Sequence, residues 1–258
     1  YTPFFSAETE PIFWRNQRLD PLQNELFAKT EQVFGDMENE SAQLNAILKR
    51  FYYYFGLTDT LELYTYISRL DFNYPVVYAK PYLFVALDLY LGEAGADYYN
   101  VLPQYLQYHR QAGFLNRDVA FALAEAQLRP PKEPMSLLDA MIFKGKLLKL
   151  TELLLEDVEE STLLRYPPKK HAFSVDHEKD MWVYFIEQEL LFDTSDELKR
   201  RFIEVAPFSK FRTQIDSETP GQIAWWFGYR IVDAWLEEYP KMSLEEWLLE
   251  EDSRKILK

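Results

Sequence analysis

The chain has 258 residues, 48% apolar and 17% aromatic, which supplies a sizeable core and argues against disorder. Its formal net charge of -14 (28 basic minus 42 acidic residues) repels phosphate backbones, and no Lys/Arg stripe stands out, which argues against nucleic-acid binding. The absence of Cys removes disulfides, Cys-metal sites and thiol catalysis, and no run of apolar residues is long enough to span a membrane.

Residues 1–17 read as a loose leader, ahead of a single mainly helical α+β domain over 18–258. From Asp20 to Phe34, Leu22, Leu26 and Val33 recur at helical spacing. The acidic stretch Asp36 to Ser41 punctuates, and a second helix is expected from Ser41 to Phe55, stopped by Gly56. The period then changes. Glu62–Ser68, Pro75–Ala79 and Tyr82–Asp88 are β-branched and aromatic runs, with Lys80-Pro81 as a turn, and predict a small three-stranded sheet.

The rest reads as helix: Tyr98–Gln111, Arg117–Leu128, and a long helix that Ser136 caps and that runs to about Leu155. Tyr166-Pro167-Pro168 begins a loop, and Asp176 caps a helix through Trp182 and Leu190. Another begins at Asp196 and ends before Pro207; Ser243 caps the last. Between them, Thr219 to Leu236 is apolar most of the way round and carries three of the six Trp, the pattern of a helix buried inside a larger body. Gly228 in its middle costs about 1 kcal/mol relative to Ala and predicts close approach of a neighbouring backbone.

Signals of chemistry are sparse. The three histidines, His109, His171 and His177, do not pair at i,i+4, so no HExxH zinc motif exists, and Met181 stands where a second ligand after His177 would be needed. No Gly-rich phosphate loop or nucleophile elbow is visible. Asp88 ends an apolar strand beside Tyr90; it either caps the following turn or lines a pocket at the strand end, and Asp71 invites the same two readings. Arg230 pairs with Asp233 or with an acid elsewhere, or forms an anion or peptide-carboxylate site. Trp225-Trp226 is core or a ligand platform.

Several phrases resemble the GldB-type gliding-motility lipoproteins of Bacteroidetes. They are Tyr66-Ile67-Ser68 with Asp71, Val85 to Gly92, Ser136 to Asp139 leading into Gly145-Lys146, Trp182 to Leu190, Pro207 to Lys210, and Gly221…Trp225…Gly228 to Val232. Together they cover roughly 18–236. The resemblance implies a cell-envelope lipoprotein, membrane-anchored through a lipidated Cys upstream of Tyr1 and facing the periplasm, with envelope or motility proteins as partners and no cofactor.

A more distant likeness is to predicted zinc peptidases that carry HExxH on the helix after the sheet and Glu-Gly on the next. The matching positions here are Ala124 to Leu128 and Lys144-Gly145, so the ligand positions are lost and a zincin-like fold without metal is implied. In that alignment Lys144 fills the vacated space and pairs with Glu125, and Gly228, Tyr229 and Arg230 line what cleft remains. The expected function is a non-catalytic envelope protein acting by protein binding in gliding motility or a related process. The alternative is a metal-independent or cryptic peptidase-like hydrolase. Expected cleft or binding residues are Asp71, Asp88, Tyr90, Glu125, Lys144, Trp225, Tyr229 and Arg230.

Overall fold

The computed structural model describes residues 11–58 and 60–258. It is mainly helical with one small mixed sheet, the α+β class the sequence predicts. The chain falls into two compact units, Tyr1–Leu123 and Ala124–Lys258. Of the expected leader, residues 1–10 lie outside the described ones, and α1 (Pro11–Leu19) occupies the remainder, opening on a proline whose missing N–H costs a helix nothing at its first position.

In the first unit α2 (Pro21–Phe34) starts where expected, because the Asp20 carboxylate accepts the Gln23 N–H. α3 (Glu38–Phe55) begins three residues before the predicted Ser41. The acidic residues read as punctuation are its first turn, where Glu38 and Glu40 complement the positive end of the helix dipole. α3 buries Leu44, Ile47, Leu48 and Phe51, one stripe at helical spacing; a fully buried Phe such as Phe51 contributes about 2–3 kcal/mol.

The sheet contains β1 (Glu62–Tyr66), β2 (Val76–Ala79) and β3 (Tyr82–Ala86) in the order β1-β3-β2. β3 is central, antiparallel to β2 and parallel to β1. Its alternation sends Leu83 and Val85 into the core, while Phe84 stacks on its register partner Tyr64 at 5.6 Å on the other face. The predicted third strand stops two residues early: Leu87–Leu89 is a 3-10 turn.

The helix expected over 98–111 is broken into α4 (Ala96–Tyr99), α5 (Gln104–Gln107) and a 3-10 turn. Pro103 lies between them and disfavours helical backbone at the residue before it. α6 (Leu115–Glu125) follows.

In the second unit α7 (Leu137–Leu154) opens on a capping box of Ser136 and Asp139. Next come α8 (Glu160–Leu164), α9 (Pro168–Asp176), α10 (Glu178–Glu187) and α11 (Asp196–Phe202). Here the prediction errs: Pro168 starts a helix instead of a loop, since proline suits the first helical position, and Asp176 ends that helix instead of capping the next. α12 (Ile223–Glu238) is the expected central helix, α13 (Leu244–Leu249) is capped by Ser243 and Glu246, and α14 (Ser253–Leu257) adds a turn the periodicity did not announce.

α12 and α7 form the most extensive helix pair of this unit. A Cβ added to Gly228 would lie 1.8 Å from the Met141 carbonyl oxygen, and one added to Gly145 2.1 Å from that of Gly228. The backbone approach inferred from Gly228 is therefore present, and α7 supplies a matching glycine. Around the seam, Phe185, Phe202, Phe211 and Phe227 make edge and tilted ring contacts with centroids 5.0–5.6 Å apart.

Candidate functional site

In the first unit Asp88 is fully buried in the turn after β3. Its carboxylate accepts the Ser68 N–H (2.8 Å), the Leu70 N–H (2.8 Å) and the Ser68 hydroxyl (3.0 Å). It thus caps a loop about twenty residues earlier and not the turn that follows it. That loop holds Arg69 and Leu70 at φ 60 and 64, left-handed backbone that non-glycine residues adopt only under constraint. The Asp71 N–H donates to the same Ser68 hydroxyl oxygen at 3.1 Å, so Asp71 and Asp88 share one knot.

Burial raises the Asp88 carboxyl above its ordinary value, although three donors work against that. The Tyr66 hydroxyl is pushed up to about 12, first by burial and then by Asp88 and Asp71. Tyr99 clamps the turn, donating to the Asp88 carbonyl (2.7 Å) and accepting from the Leu91 N–H (3.0 Å). Tyr90 is turned to another partner, donating to Asp118 at 2.9 Å beside the Arg117–Asp118 ion pair. The arrangement serves to hold a loop.

In the second unit Trp225 places its ring 4.5 Å from the Lys144 ammonium and donates its indole N–H to the Ile203 carbonyl at 2.9 Å. Glu125 is exposed at the end of α6, and the Lys144 ammonium lies over the rings of Trp225 and Phe143. Tyr229 is buried, with its hydroxyl donating to Glu152 at 2.9 Å. Lys149 bridges Glu152 (2.5 Å) and Asp233 (2.6 Å). Burial alone would lower the Lys149 ammonium, but its bonds to Asp233 and Glu152 outweigh this and hold it above its ordinary value. Burial and the neighbouring Glu152 raise the Tyr229 hydroxyl well up. Glu160 is a second acidic centre, accepting the Trp226 indole N–H and lying 2.9 Å from the His171 ring nitrogen.

Asp233 is thus committed to Lys149, and Arg230 faces Glu178 at 3.7 Å instead. Arg230 lines a groove of about 630 Å³ whose floor includes Trp182, Phe227, Ile231 and Trp235 and whose rim carries Glu178 and Lys179. The three residues expected to line one cleft therefore divide: Gly228 is in the helix seam, Tyr229 turns to Glu152, and only Arg230 reaches the groove. The groove residues that pattern reading passed over come from the end of α9, from α10 and from α14; an apolar Trp182 beside the charges of a short helix was the one signal for them.

Among the described residues no group of three His, Asp or Glu side chains is arranged to hold a metal ion, and no helix is long and apolar enough to cross a membrane. Neither a curated protein nor a solved structure matches the chain. The sequence pattern of the family described as gliding motility protein GldB matches residues 1–258, and the chain belongs to that family.

Proposed function

We propose that this envelope lipoprotein, tied to gliding motility by its family, acts without catalysis by binding another envelope or motility protein through the groove beside α12. Family membership carries the motility and lipoprotein part. Attachment through a lipid upstream of Tyr1, with the chain facing the periplasm, completes the reading.

The groove is the observation that supports binding. The partly exposed Trp182, with Ile231 and Ala234 beside it and the buried Phe227 and Trp235 beneath, offers the rigid apolar area that anchors a partner's side chain. A rim with Arg230, Lys179 and Lys258 on one hand and Asp176, Glu178 and Glu238 on the other fixes its register. An amphipathic segment with one apolar face and charges of both signs suits this surface.

The test is genetic and chemical together. In a gliding strain deleted for its own family member, the full-length protein with its native leader restores gliding, whereas Arg230→Glu does not. Because Arg230 is about half exposed, the variant keeps its melting temperature. A photo-crosslinker at Lys179 traps an envelope protein in the parent and not in Arg230→Glu. Full gliding by a stably folded Arg230→Glu protein would remove the groove from the function.

A further inference from the structure

Against the overall charge of -14, one cavity of the second unit is basic. It measures about 290 Å³ and is lined by Arg200, Arg201, Lys210 and Arg212, with Glu197 as its one acid. No apolar side chain lines it, which separates it in kind from the groove beside α12. α11 delivers Arg200 and Arg201 in its last turn, and the segment after it returns Lys210 and Arg212 to the same place.

One of these cations, Arg201, has a buried side chain, and a second, Arg212, has an exposed side chain on a fixed backbone turn. Arg201 is 8% exposed, donates from Nε to the Lys210 carbonyl at 2.8 Å and from Nη2 to the Tyr184 hydroxyl at 3.0 Å, and lies 4.7 Å from the Phe202 ring. Those two bonds leave three of a guanidinium's five N–H donors; its Nη1 stands 4.0 Å from Glu197. Arg212 holds a left-handed backbone at φ 65, and the Asp216 carboxylate locks that turn by accepting the N–H groups of Arg212 (2.9 Å) and Thr213 (3.0 Å). The Arg212 side chain also pairs with Glu197. Arg200 and Lys210 make no ion pair among the described residues. Four cations thus face one carboxylate inside the cavity, while the oxygens of nearby Asp216 are occupied by its own turn.

We propose that this cavity binds a phosphoryl group. Cations crowded this way repel one another unless an anion neutralises them, and a surplus of three positive charges suits a dianion better than a single carboxylate. Guanidinium forks match the geometry of phosphate oxygens in bidentate contacts, and Lys210 adds a point charge. The bearer is either an anionic phospholipid headgroup at the envelope surface or a soluble phosphorylated compound, and the chemistry of recognition is common to both.

Calorimetric titration of the purified chain with inorganic phosphate and pyrophosphate at low ionic strength, alongside flotation with vesicles of phosphatidylcholine with and without phosphatidylglycerol, tests the proposal. Binding to either probe supports it: vesicle capture without phosphate binding identifies a headgroup, and phosphate binding without capture a soluble ligand. The double variant Arg200→Gln, Lys210→Gln removes the two unpaired cations and so leaves the melting temperature unchanged; it weakens binding by about tenfold or more. Added salt weakens parent binding more than that of the variant. No binding to any of the anionic probes, or affinity undiminished in the double variant, would overturn the assignment.

Discussion

In the first unit a buried carboxylate, Asp88, meets three donors from one loop, whereas in the second a buried ammonium, Lys146, meets the Glu250 carbonyl oxygen and the face of Trp235. Lys146 is only 4% exposed, and burial lowers its pKa to about 8. The second unit draws its cohesion from elsewhere, from a seam where Gly145 and Gly228 bring two helix backbones together. A polar knot marks one unit, and a close helix seam flanked by its own ion pairs marks the other. Each should therefore fail under a different kind of substitution.

The sharpest way to break the comparison is Gly228→Leu. Its Cβ alone would fall 1.8 Å from a backbone oxygen that no rotamer change can move. Loss of stability exceeding about 4 kcal/mol is expected, with the second unit unfolded by circular dichroism and quickly digested by protease. A well-folded Gly228→Leu protein would mean that the seam opens without cost.

Asp88→Ala comes next. It leaves the Ser68 N–H, the Ser68 hydroxyl and the Leu70 N–H without their acceptor, at a cost of about 3 kcal/mol in chemical denaturation. Asp88→Asn keeps one acceptor oxygen and should recover part of that loss. Equal destabilisation by both would show that charge, and not acceptor count, holds the loop.

The third test concerns Lys146. Its folded pKa of about 8 lies below the ordinary 10.5, so between those values the unfolded chain binds more protons than the folded one. Stability therefore rises with pH across that window, and below pH 8 the folded protein bears the whole cost of a buried cation. Lys146→Met should melt higher than the parent at pH 7, with the gap closing towards pH 10. Taking the difference between the two proteins cancels the buried tyrosines, which ionise in the same range. A constant gap would show that Lys146 keeps its ordinary pKa.

Much of this was legible in the chain where a local rule decides. Ser136 and Ser243 announced their helices because a cap acts within three residues. The apolar and aromatic run from Tyr82 marked β3, and Gly228 inside an apolar helix marked the seam. Partner choice was not legible. Asp88 reaches back to Ser68, Asp233 turns to Lys149, and Arg230 turns to Glu178, because each is settled by which helix faces lie together. The basic cavity escaped for the same reason. Arg200-Arg201 and Lys210…Arg212 form no stripe along one helix and meet only when the segment after α11 folds back.

The glycine seam has a mechanical consequence. Side chains between two helices act as a cushion, since rotamers can shift and let the helices slide by fractions of an ångström. Where α7 and α12 touch backbone to backbone there is no such cushion. A pull on the groove side of α12 would pass to α7 with little give, a stiffness set by the two glycines.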